Sequence, residues 1–273
     1  MESIAMNSAI RFELDGDVGV LTFTSPERLN PLSLDLQSGA REILARVREN
    51  SQVRAVLLKG EGRGFCVGAD LNSMSGGDEQ STLGERVADI MYTLTNQLIL
   101  DLQNLAVPVV SVVNGAAAGA GVGLALAADI VVAARSAYFY LPFMPRLGLL
   151  PDAGTTWLLQ RSIGRSRAMA LSLLDERLSA EQAQQWGLVW SVHDDSDVVN
   201  AGLALARRLA ALPADAAAEC RKAFDAAARS TLSEQLAYET ERQKELLDRP
   251  TFAEGVNAFI EKRKPAFKPR ELA

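Results

Sequence analysis

Hydrophobic positions alternate with polar ones over Ile10–Leu14 and Val18–Thr24, on either side of the turn signal Asp15-Gly16-Asp17. A period of two on both sides of such a turn predicts two paired strands. The period then lengthens: Leu36, Ala40, Ile43, Leu44 and Val47 share one side of a helix that runs from Ser33 or Leu34 to Arg48. The β-branched run Val53–Lys59, ending at Gly60, reads as a buried strand, and the polar, glycine-rich Ser73–Gly84 as a mobile loop. A helix over Glu85–Asn104, a strand over Val107–Val113, a helix over Gly119–Ala128 and a strand over Ile130–Ala134 follow. Repeated strand–helix units imply an α/β fold with a parallel sheet and crossover helices. Thr155–Gln160, Arg165–Leu173 and Ala180–Trp186 are further helical pieces, with Ser179 as a candidate cap. From Val198 onward the strand signal stops. Alanine-rich helices fill Val198–Ala211, Pro213–Arg229, Leu232–Leu247 and Pro250–Lys262, with no internal repeat of fixed period. This shift divides the chain into a core, 1–197, and a helical region, 198–273.

A chain of 273 residues, 48% hydrophobic, suits one large domain or a domain with an appendage. The net charge of −6 argues against a broad basic face, so nucleic acid is not an expected partner. A local basic patch does stand at the C-terminus. The stretch from Leu102 to Ala128 carries no charge, but Pro108, Asn114 and a cluster of glycines break it into strand, turn and buried helix rather than a membrane span. Met1-Glu2-Ser3-Ile4-Ala5-Met6 lacks the pattern of a secretion signal, and two cysteines, Cys66 and Cys220, fit a reducing cytoplasm.

Three segments carry candidate chemistry: Gly64-Phe65-Cys66-Val67-Gly68-Ala69-Asp70-Leu71, Asn114–Gly123, and Pro151-Asp152-Ala153-Gly154. Small residues let backbone N–H groups approach a ligand oxygen unobstructed, and two such donors on one oxygen form an oxyanion hole. Gly119-Ala120-Gly121-Val122-Gly123 opens a helix, so it is either an anion site or a close helix-on-sheet contact; it does not meet the dinucleotide fingerprint. Asp70 reads as a helix cap more readily than as a catalyst. Asp152 is either a cap for Thr155–Gln160 or a base with a raised pKa. Cys66 has no histidine to activate it. His193, the sole histidine, reads as a surface residue in a polar loop, with no Gly-x-Ser-x-Gly elbow to make a triad. One histidine and two distant cysteines suggest no metal site.

Together these residues resemble the crotonase superfamily, the enoyl-CoA hydratase/isomerase family. The likeness covers nearly the whole chain, from Val20-Leu21-Thr22-Phe23 and Leu29-Asn30-Pro31 through the three segments above to Leu178–Ala183 and Phe259–Pro265. It implies a spiral of ββα turns with a C-terminal helical trimerisation region, a homotrimer or hexamer, and an acyl-CoA thioester as the partner. No cofactor is implied, since coenzyme A enters with the substrate. Carried over, Ala69 and Ala120 donate to the thioester oxygen. Arg28, Leu29, Asn30, Gly68, Asp70, Leu71, Gly119 and Gly121 line the CoA, and Phe259 and Lys262 reach a neighbouring subunit's CoA.

The departures decide the activity. Positions where hydratases of this family carry two glutamates fall on Gly123 and about Met144, whereas Asp152 matches the aspartate of isomerases. Ala133–Ala137, Leu147–Leu159 and Leu178–Gly187 further resemble the ring-epoxide isomerases of phenylacetate degradation. The expectation is an acyl-CoA isomerase acting on a ring-epoxide phenylacetyl-CoA or an enoyl-CoA double bond, with Asp152 as its proton shuttle. Enoyl-CoA hydration and non-catalytic acyl-CoA binding are the alternatives.

Overall fold

A computed structural model describes residues 3–70 and 81–270. Strand β1 (Ser3–Asn7) pairs antiparallel with β2 (Ile10–Asp15), and β2 with β3 (Val18–Phe23). Asp15 faces Val18, so Gly16 and Asp17 form a two-residue turn. Helix α1 (Leu34–Arg48) is capped by the Ser33 hydroxyl, which accepts from Leu36 N–H at 3.2 Å. Its stripe of Leu36, Ile43 and Leu44 is wholly buried, each side chain contributing about 1.5–3 kcal/mol of hydrophobic stabilisation.

The chain then winds through turns that each give one strand to a large sheet and one to a small sheet. The first has β4 (Ala55–Gly60) and β5 (Gly64–Cys66), followed by α2 (Leu83–Ile90), a π-helical turn (Met91–Thr95) and α3 (Asn96–Gln103). The second has β6 (Val109–Val113), β7 (Ala116–Ala118) and α4 (Ala120–Leu126). The third has β8 (Ile130–Ala134), β9 (Tyr138–Tyr140), a π-helical turn (Phe143–Leu147) and α5 (Thr155–Leu173). Then come β10 (Arg177–Ser179), α6 (Ala180–Gln185) and β11 (Ser191–His193). The large sheet has the order β1-β2-β3-β4-β6-β8-β11, parallel from β3 onward, and the small sheet the order β10-β9-β7-β5. This is the ββα spiral that the resemblance implies.

Four differences from the sequence reading matter. The small sheet was not anticipated; its strands span three residues each, too short to show a period. Ser191–His193 is a strand on the edge of the large sheet rather than a loop, and the His193 ring lies 2.8 Å from the Ser191 hydroxyl. The helix expected over Glu85–Asn104 begins earlier, at a Thr82–Glu85 capping box, and is interrupted by the π-turn. Leu71 and most of the Ser73–Gly84 loop lie outside the described residues. The gap between the pieces Thr155–Gln160 and Arg165–Leu173 is a kink at Gly164 (φ 77°), and Ser179 does cap α6.

Beyond the spiral lie α7 (Val198–Ala210), α8 (Ala216–Ala227), α9 (Leu232–Leu247) and α10 (Pro250–Ile260). Helix α7 covers the large sheet opposite α1, and β3 is buried on both faces between them. Among the described residues no helix is long and apolar enough to cross a membrane. Arg221 of α8 ties this region to the spiral. Its guanidinium donates to both Asp129 oxygens at 2.6 Å and to the carbonyls of Gln103, Leu105 and Val107.

Arg221→Met keeps the apolar stem but leaves three carbonyls without the guanidinium and Asp129 with only the Val109 N–H. Because the pair is mostly but not wholly buried, we expect a loss of about 2–4 kcal/mol in urea unfolding. An unchanged midpoint would show that α8 is held by its apolar contacts alone.

Candidate active site

Ala69 is placed by a chain of backbone contacts. Leu29 and Asn30 both adopt left-handed φ (58° and 57°), which turns the chain sharply after Pro26–Arg28. The buried Asn30 amide donates to the carbonyls of Glu61 and Gly64, and its oxygen accepts from Ser25 N–H. Asn30 therefore acts as a brace for this turn. Leu32 N–H then donates to Gly68 O at 2.8 Å, and Leu32 pairs with Ala69 as an isolated parallel bridge.

Ala120 comes from the next turn of the spiral. Gly119 (φ 54°) follows β7 and starts α4, so the Ala120 N–H is at the first helical position and has no intrahelical acceptor. Gly68 (φ 83°) brings the two segments together: a Cβ there would stand 2.9 Å from Ala118 O and 3.0 Å from Ala120 N. Among the described residues neither the Ala69 nor the Ala120 N–H is engaged by another backbone group. Two unengaged donors on touching segments, one at a helix N-terminus, are what an oxyanion needs.

Asp152 faces the same space. Ala69, Asp70, Ala120 and Asp152 line one cleft with Leu32, Leu34, Gln37, Val87, Ile90, Met91 and Thr95. The cleft is narrow and partly open to solvent. Asp152 is no cap. Gly154 (φ 73°) is the N-cap of α5, and Thr155 N–H donates to the Asp152 main-chain carbonyl at 2.9 Å rather than to its carboxylate. Burial pushes the Asp152 pKa up from 3.8 to about 6. Leu149, Leu150 and Trp157, its apolar neighbours in sequence, are exposed and do not line the cleft; Leu150 is 74% accessible. The apolar wall comes from Leu32, Val87, Ile90 and Met91.

The remaining expected residues separate. Arg28 donates to Asp70 Oδ1 at 2.6 Å, forming an ion pair at the cleft, and the residues that Asp70 would cap lie outside the described ones. Gly121 is a packing residue, since a Cβ would meet the Cys66 carbonyl oxygen at 2.1 Å. Phe259 and Lys262 do not line the cleft, and Phe259 is 85% accessible. Burial pushes the Cys66 thiol up to about 12, so it is no nucleophile. Among the described residues no cluster of His, Cys, Asp or Glu could hold a metal ion.

One buried pair went unnoticed in the sequence. Thr95 donates its hydroxyl to Gln37 Oε1 at 2.7 Å, and Gln37 Nε2 donates to Leu32 O at 2.9 Å. A signal existed: Gln37 sits three residues before Ala40 and seven before Leu44, on the apolar side of α1.

The raised pKa has a consequence for stability. A carboxyl whose folded pKa exceeds its unfolded value destabilises the fold once pH rises above the unfolded value, and fully so above the folded one. A rise of about two units corresponds to at most about 3 kcal/mol. Asp152→Asn should therefore raise stability by up to about 3 kcal/mol at pH 7–8. The gain should shrink as pH falls through 6 and vanish below 4; thermal melts across that range test it, and a pH-independent difference would refute the desolvation.

Residues 13–270 match the family described as Enoyl-CoA hydratase/isomerase. The chain is 42% identical over 262 residues to the 1,2-epoxyphenylacetyl-CoA isomerase of Escherichia coli, covering 96% of this chain and 99% of that one. It is 41% identical over 261 residues to a protein of Rhodobacter capsulatus named as a probable enoyl-CoA hydratase, covering 96% and 98%. The crystal structure of an enoyl-CoA hydratase from a Polaromonas species superposes with a TM-score of 0.87 at 33% identity, covering 94% of this chain and 99% of that one. The chain has the crotonase fold and belongs to the enoyl-CoA hydratase/isomerase family.

Proposed function

We propose that the chain is an acyl-CoA isomerase that moves one proton with Asp152 while the Ala69 and Ala120 N–H groups hold the thioester oxygen. The observation that carries this reading is the convergence of these three residues on one cleft. With a 3-enoyl-CoA, the Asp152 carboxylate takes a proton from C2, and electrons shift into the carbonyl to give a dienolate. The two N–H groups stabilise the charge, each donor of this kind being worth about 10²–10³ in rate. The carboxylic acid then returns the proton at C4, the double bond moves to C2–C3, and Asp152 ends as it began.

Hydration is disfavoured by geometry. A Cβ on Gly123 would stand 2.3 Å from Ala153 O and 2.8 Å from Thr155 Oγ1, so no carboxylate can start from that position. Met144 lies in a π-turn outside the cleft lining. The likeness to the E. coli isomerase favours a ring-epoxide phenylacetyl-CoA as substrate, since that too is a CoA thioester open to enolisation. Two free cysteines fit a reducing compartment, so a cytoplasmic enzyme is part of this reading.

Assembly belongs to it as well. Phe224, Leu232, Phe259 and Ile260 on α8, α9 and α10 are all more than two-thirds exposed. Apolar surface on this scale marks an association face, and a homotrimer or hexamer would bring Phe259 and Lys262 to a neighbour's CoA.

Purified protein mixed with a 3-enoyl-CoA and, separately, a 2-enoyl-CoA should shift the first double bond and add negligible water to the second. Asp152→Asn should remain folded, bind acyl-CoA, and isomerise about 10²–10⁴-fold more slowly. Wild-type rates in that variant would move the catalyst elsewhere. Light scattering at micromolar concentration should give a mass of three or six chains; a monomer would sink the cross-subunit role of Phe259 and Lys262.

A further inference from the structure

Two side-chain oxygens beside the cleft are shut off from solvent without a hydrogen-bond partner, Oδ1 of Asp152 and Oγ1 of Thr155. Buried polar atoms are nearly always bonded, so two orphans together indicate a bond that the working site makes. Both belong to one turn, closed by Thr155 N–H on the Asp152 carbonyl and by left-handed φ at Ala153 (49°) and Gly154 (73°). They also meet one helix. Asp152 shares the cleft wall with Ala120, and Thr155 Oγ1 lies 2.8 Å from where a Cβ on Gly123 would stand. Residues 120 and 123 are one helical turn apart, on the same face of α4.

We propose that Thr155 is a positioning residue for Asp152: its hydroxyl holds Oδ1 through a hydrogen bond, direct or across one water, and leaves the other carboxylate oxygen to move the proton. This rests on the isomerase reading. A hydroxyl suits the task because it can donate to a carboxylate and accept from a carboxylic acid, the two states a shuttle alternates between. Holding one oxygen also stops the carboxyl group from rotating as the proton travels from one carbon to the next.

The surroundings make the interaction readable by titration. Helix α4 carries no ionisable side chain, and the first on α5 is Arg161, stacked on Trp157 at 3.7 Å. From α2 and the π-turn come Val87, Ile90, Met91 and Thr95, and among the described residues the other ionisable one in the cleft is Asp70, paired with Arg28. Cys66, under Gly121, is buried with its thiol pushed up to about 12.

The test is a ¹³C NMR titration of the Asp152 carboxyl in the full chain, its signal identified as the one absent from Asp152→Asn. Thr155→Val keeps the volume without the hydroxyl, Thr155→Ala removes the hydroxyl with no demand for space, and Thr155→Ser retains it. A donor to the charged form lowers a carboxyl pKa, so the midpoint should rise by about one pH unit in the Val and Ala variants and stay put in the Ser variant. With a 3-enoyl-CoA, kcat should fall about tenfold in the Val and Ala variants at unchanged KM, and serine should restore it. An unshifted midpoint in both Val and Ala variants overturns the proposal whatever the activity. The expected shift in a wild-type protein that fails to isomerise 3-enoyl-CoA upholds the positioning and overturns the isomerase reading instead.

Discussion

At Gly121 and Gly123 helix α4 has no room for a methyl group: a Cβ would stand 2.1 Å from the Cys66 carbonyl oxygen and 2.3 Å from that of Ala153. One short helix is thereby clamped, backbone against backbone, between strand β5 and the Asp152–Thr155 turn. Its first residue supplies one oxyanion donor. The strand it rests on leads through Gly68 to the other, and the turn on its far side carries the carboxylate. The relative placement of all three is set by contacts that contain no side chain and so no rotamer freedom. A larger residue at either glycine would push the helix off by more than an ångström, and reactions of this kind lose orders of magnitude to such a shift.

This arrangement is held at a cost in stability. Asp152 sits in a cleft that disfavours its charge, and Ala153, Leu29 and Asn30 all take left-handed backbone conformations without being glycine. Three of the six described non-glycine residues with left-handed φ lie in turns beside the cleft, while the strands behind them are almost wholly buried and apolar. Core packing offsets what the site gives up, and the brace at Asn30 spends its whole amide on holding the first of these turns.

The sequence showed the long helices and strands β2, β3, β4, β6 and β8 of the large sheet because each runs for enough residues to display a period, whereas the edge strands β1 and β11 escaped it. Strands β5, β7, β9 and β10 have three residues each, and β7 is all alanine, so nothing in their pattern separates them from a loop. Asp152 was ambiguous for a different reason: a carboxylate shortly before a helix can cap it or leave the role to its neighbour. Here Gly154, free to take φ 73°, occupies the cap. The apolar neighbours in sequence, Leu149 and Leu150, turned outward, and the burial came from α2 and the Leu32 segment, which no local pattern connects to Asp152. Ala69 and Ala120 were legible only through the family resemblance, because an alanine N–H carries no signal of its own.

The number of carboxylates in the cleft constrains its chemistry more tightly than their pKa values do. Adding water to a double bond requires one group to activate the water and another to manage the proton delivered to carbon. Moving a double bond requires a single group that takes a proton and returns it. Asp70 also lines the cleft but is paired with Arg28, and a carboxylate at position 123 is excluded by main-chain atoms, the carbonyl oxygen of Ala153 above all, so a substitution at Gly123 cannot introduce one unless the turn that carries Asp152 also moves. That turn is closed by its own hydrogen bond and packed against α4, so relocating it would displace the base already present. Whether a carboxylate can stand at position 123 is therefore a property of how α4 and the Asp152–Thr155 turn meet, and changing it would require rebuilding their contact.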